Sequence, residues 1–179
     1  MANVSVVVFG SSRVPRGSVA YALATDLGRA LARRGAEVRC GGYAGVMEGL
    51  AAGAKEAGGR VVGCTLAWFA GERAPNPHLD EVYPSPDLPS RLRCLLQGTR
   101  AAIALPGGVG TLNEIFWLWT LLMHGHGEGR RLILLGEPWE DLLELLEGRF
   151  EIDPPVRALV RRAGTAEEAA ALACEARVA

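Results

Sequence analysis

Lysine is nearly missing from this sequence: Lys55 is the only one, and the other basic side chains are arginine. It lies in the helical stretch AAGAKEAGG, where a solvated surface position is expected, so chemistry through a lysine Schiff base is rejected. Cysteine is also sparse. Cys40, Cys64, Cys94 and Cys174 are far apart and form no C-x-x-C pair, which predicts reduced thiols rather than a disulfide framework or a zinc site. Net charge is close to zero, at -1, so neither nucleic acid nor an anionic membrane is expected as a partner. The N-terminal stretch MANVSVVVFG has no charged n-region, and its apolar run is too short for a signal peptide or a span. A cytoplasmic protein is expected.

What is present is an alternation of short apolar runs with helical periodicity. Strands are predicted at Val4 to Phe9, Glu37 to Cys40, Arg60 to Leu66, Ala101 to Leu105, Arg131 to Leu135 and Ala158 to Arg162. Helices are predicted at Ser18 to Arg34, Ala44 to Ala57, Pro89 to Gly98, Thr111 to Met123 and Trp139 to Glu147. The stretch from Ala70 to Pro86 reads as a long connection, and Thr165 with Glu168 forms a capping box for a last helix. This order predicts a Rossmann-like, doubly wound α/β fold, one parallel sheet with helices on both faces, as a single domain over residues 1–179. The helix IFWLWTLLM reads as buried all round and as a candidate subunit interface.

Three strand-to-helix corners are rich in small residues: GSSR, GGYAG and PGGVGT. In a parallel sheet they share one edge, and the usual strand order sets Ser11 and Ser12 across a crevice from Gly107 to Thr111. Gly107, Gly108 and Gly110 let backbone approach a ligand closely, and the amides of the following helix attract an anion. Thr111 adds a hydroxyl. The corner is no P-loop, since no lysine precedes Thr111, and Asn113 stands where a dinucleotide fingerprint wants glycine. Glu114 allows two readings at this point, a carboxylate for chemistry or the partner of Thr111 in a capping box. His124 and His126 read as a polar helix end, Trp117 and Trp119 as part of the apolar helix, and Glu48 as a solvated helix residue.

PGGVGTLNE resembles the PGGxGTxxE signature of the "lonely guy" family, long labelled lysine decarboxylase-like. VFGSS is similar to the family's opening strand and serine loop, and CGGYAGVMEGLAAGA to its second glycine corner. The resemblance implies a nucleoside 5′-monophosphate phosphoribohydrolase, at least homodimeric, with no cofactor and no metal. Counting back from Pro106, the family's catalytic arginine falls on Arg91, while Leu92 holds the place of its lysine. The expected site is therefore Glu114 as the catalytic carboxylate and Arg91 assisting the leaving base or binding the nucleotide. Gly107, Gly108, Gly110 and Thr111 hold the phosphate, with Ser12, Gly41 and Gly42 lining the same crevice. The expected substrate is AMP or a related purine nucleotide. The alternative is a non-catalytic nucleotide or molybdenum-cofactor carrier of the same fold, which the departure at Leu92 favours.

Overall fold

The computed structural model describes residues 4–176; Met1 to Asn3, part of the N-terminal stretch read above, lie outside them. Seven strands form one parallel sheet: β1 (Ser5–Phe9), β2 (Glu37–Cys40), β3 (Val61–Leu66), β4 (Glu81–Ser85), β5 (Ala101–Ala104), β6 (Arg131–Leu135) and β7 (Val160–Ala163). Their order is β4-β3-β2-β1-β5-β6-β7, with β1 pairing β2 on one side and β5 on the other. The central strands are covered on both faces, which is why β1 carries the apolar run Val6 to Phe9 and all its residues, Ser5 included, are buried.

The helices are α1 (Val19–Arg33), α2 (Val46–Glu56), α3 (Leu88–Leu96), α4 (Val109–Met123), α5 (Pro138–Arg149), α6 (Pro154–Arg157) and α7 (Ala166–Cys174). Local chemistry sets several of their starts. Ser18 caps α1 by accepting from the Tyr21 amide, and Asp87 caps α3 by accepting from Ser90. The capping box at α7 forms: Thr165 accepts from the Glu168 amide, and Glu168 accepts from Gly164. Helices α1 and α2 meet almost backbone to backbone. A Cβ on Gly53 would lie 1.9 Å from the Thr25 carbonyl oxygen, and one on Gly28 2.0 Å from that of Leu50.

Four expectations need correction. The stretch from Ala70 to Pro86 contains β4, an edge strand on which Pro84 is tolerated because only β3 pairs with it. Cys64 and Cys94 are joined in a disulfide, because α3 packs on β3 and brings two sequence-distant positions within 6.2 Å Cα to Cα; Cys40 and Cys174 are free thiols. Glu48 is buried and ion-paired to Arg16 of the serine loop rather than solvated. Helix α4 is apolar but not buried all round: Ile115, Leu118 and Trp119 face the core while Phe116, Trp117 and Met123 are exposed. Lys55 lies at the surface, paired with Asp80. Among the described residues no helix is long and apolar enough to cross a membrane.

Candidate active site

The β1–β5 contact is the point where the strand order reverses, and ligands of open α/β sheets bind outside the carboxyl ends of such strands. A cavity of about 490 Å³ lies there. One side is the serine loop, with Gly10, Ser11, Ser12 and Arg13; facing it are Gly108, Val109, Gly110 and Thr111. Gly108 is the N-cap of α4 and offers no side-chain bond, so the first amides of that helix remain free for an anion.

The cavity also reaches an ion pair between a half-buried arginine and a buried carboxylate. Asp87 starts α3 so that Arg91 sits in its first turn and runs inward beneath the β3 exit. There its Nε donates to the Cys64 carbonyl at 2.8 Å, and its Nη1 lies 3.5 Å from Glu114 Oε1. Glu114 projects from the second turn of α4. The helix begins at Val109, two residues before Thr111, so Thr111 is not its N-cap and the capping-box reading of Glu114 is not realised. Burial pushes the Glu114 carboxyl from 4.5 up to about 7, with Arg91 pulling the other way. A carboxyl poised near neutrality in a cleft is suited to proton transfer.

Gly41 makes the pair's geometry possible. A Cβ there would stand 2.1 Å from Arg91 Nη2 and 2.7 Å from Met47 Sδ. Both are ends of flexible side chains, so Gly41→Ala is expected to fold and to push the guanidinium aside. Without that cation, the Glu114 carboxyl should titrate about one pH unit higher than in the wild type, read by carboxyl NMR. An unchanged titration would show that Arg91 does not depend on the glycine.

Of the expected site residues, Glu114, Arg91, Gly108, Gly110, Thr111, Ser12 and Gly41 line the cavity. Gly107 and Gly42 are not on its surface. Gly107 packs against Thr111, whose Oγ1 would be 2.2 Å from a Cβ, and Gly42 turns the chain off β2 at φ +80°. Leu92 is buried and does not line the cavity, and Arg93 turns to a different cleft beside Trp117 and His126. His124 and His126 join no metal-binding group; among the described residues no cluster of three or more metal-ligating side chains occurs.

The sequence reading missed the far wall, formed by Tyr43, Phe69 and Arg73. Tyr43 packs edge-on against Phe69, at 5.9 Å between ring centroids, and Arg73 lies over the Phe69 ring at 4.4 Å. The available signal was the pair of aromatics Trp68 and Phe69, between the strand predicted to end at Leu66 and the connection read from Ala70.

A family model described as "Possible lysine decarboxylase" matches residues 47–173. The cytokinin riboside 5′-monophosphate phosphoribohydrolase of Rhodococcoides fascians is 35% identical over 146 residues, covering 80% of this chain and 74% of that protein. The Arabidopsis thaliana cytokinin riboside 5′-monophosphate phosphoribohydrolase LOG3 is 30% identical over 167 residues, covering 90% and 77%. The molybdenum cofactor binding protein of Rippkaea orientalis shares the fold, with a TM-score of 0.73 at 22% identity over 96% of each chain. The chain thus belongs to the family described as "Possible lysine decarboxylase", the "lonely guy" family to which these two phosphoribohydrolases also belong.

Proposed function

We propose that the protein hydrolyses the N-glycosidic bond of a purine nucleoside 5′-monophosphate, AMP or a related nucleotide, to free base and ribose 5-phosphate. The observation that carries this reading is one cavity holding an anion-attracting helix start and, beside it, buried Glu114 paired with half-buried Arg91. The 5′-phosphate rests on the amides at Gly108 to Thr111, which sets C1′ of the ribose toward Glu114. Cleavage of the C1′–N bond develops positive charge on the ribosyl carbon, and a carboxylate beside it stabilises that charge. Glu114 also orients water and takes its proton as oxygen bonds to C1′. The base leaves with the bonding electron pair, hydrogen-bonded by the Arg91 guanidinium, and takes a proton from solvent, while Glu114 returns to solvent the proton it took from water. The exposed Phe116 and Trp117 on α4 support a homodimer built on that face.

The test is incubation of the purified protein with AMP, IMP and GMP, with chromatography of the products. Free base and ribose 5-phosphate in equal amounts are expected. Binding without product from any of them would favour the second reading, a carrier that uses the same anion site, for which Leu92 in the lysine's place speaks.

A further inference from the structure

The far wall of the cavity bears on which purine is taken, given the reading of the cavity as a purine-nucleotide site. With phosphate at the α4 start and C1′ beside Glu114, the surface left for the base is the one formed by Tyr43, Phe69 and Arg73. Two flat rings and a guanidinium suit a heteroaromatic ring. The polar edge of this wall is one-sided. The Tyr43 hydroxyl is already engaged, accepting from the Leu66 amide at 2.8 Å and donating to the Leu66 carbonyl at 3.4 Å. Ser11 Oγ accepts from the Arg13 amide. Glu114, the only carboxylate lining the cavity among the described residues, is committed to the ribose. Arg73 makes no side-chain hydrogen bond or ion pair among the described residues, and its N–H groups can only donate.

A donor fork with no carboxylate beside it on this wall matches a purine edge carrying two acceptors. A 6-oxopurine presents O6 and N7, which a guanidinium can take together; adenine presents an amino group at C6, which opposes the same donors. We infer that the Tyr43–Phe69–Arg73 wall receives the base and that Arg73 selects 6-oxopurine nucleotides, IMP and GMP, over AMP.

The experiment measures Kd by calorimetry and kcat/KM by base release for IMP and AMP, in wild type, Arg73→Ala and Arg73→Lys. A paired donor contact distinguishes bases by about tenfold or more, so wild type should favour IMP by that factor in Kd, and in kcat/KM where turnover occurs. Arg73→Ala should bring the ratio near one mainly by weakening IMP, and Arg73→Lys should restore it only in part. Tighter IMP binding lost in Arg73→Ala, with no turnover of either nucleotide, upholds this inference and overturns the hydrolase. Turnover without an IMP preference, or a preference that survives Arg73→Ala, overturns the inference and leaves the hydrolase standing. Binding of neither nucleotide overturns both.

Discussion

Glu114→Gln is expected to lower base release by about 10³-fold while leaving phosphate binding intact, since positioned proton transfer contributes roughly 10²–10⁴. Glutamine keeps the shape but neither carries negative charge nor accepts a proton. Wild-type activity should rise with pH through about 7, as the buried carboxyl ionises. Stability should move the opposite way. The folded carboxyl titrates near 7 against 4.5 for the free group, so between those values the folded state holds more protons than the unfolded one. This contribution is fully present below pH 4.5 and is lost as pH rises through 7. From pH 5 to pH 8 the wild type should therefore lose roughly 2–3 kcal/mol that Glu114→Gln retains. Denaturant unfolding at both pH values reads the difference. Parallel pH dependence in the two proteins would mean that Glu114 is already ionised in the folded state at pH 5, and the rise of activity through pH 7 would then need another group.

The second large effect is on folding. Gly53→Ala should destabilise the protein by about 2–3 kcal/mol although alanine is the better helix former by roughly 1 kcal/mol. The new methyl would meet Thr25 backbone, with the carbonyl oxygen at 1.9 Å and its carbon at 2.7 Å, and no rotamer relieves a clash with backbone. Helices α1 and α2 must separate. The drop in Tm should be about 5–10 °C for a chain of this size. Gly148→Ala on α5, where nothing lies within 4 Å of the added atom, serves as the control and should be neutral or mildly stabilising. If both variants lower Tm equally, the close crossing of α1 and α2 is not what Gly53 is for.

Comparison of two T-x-x-E spacings shows where sequence reading works and where it stops. Thr165 and Glu168 form the capping box their spacing predicts, whereas Thr111 and Glu114, with identical spacing, do not. Gly108 lets the second helix begin early, and Glu114 is thereby rotated into its pair with Arg91. The sheet was legible because β1, β5 and β6 carry apolar runs between turn residues, and β2 alternates apolar with charged positions. Strand β4 was not, since an edge strand with Pro84 and mostly exposed side chains carries no apolar run. The glycine corners, Glu114 and Arg91 were readable from a motif. Tyr43, Phe69 and Arg73 meet only because β2 and β3 are neighbours, and no local pattern encodes that adjacency. Composition made α4 look buried because apolar character does not say whether the protein's own core covers a face.

The Cys64–Cys94 bond closes a ring of chain that begins on β3 and returns on α3, its ends 30 positions apart in sequence. Inside that ring lie Phe69, Arg73, strand β4 and Arg91. Closing a loop of this length removes about 3–4 kcal/mol of chain entropy from the unfolded state. Phe69 and Arg73 of the far wall and Arg91 are thus bound into one covalent hoop, with Tyr43 outside it. The segment forming the wall can move outward only as far as its two anchored ends permit, and one of those anchors is a single helical turn from Arg91.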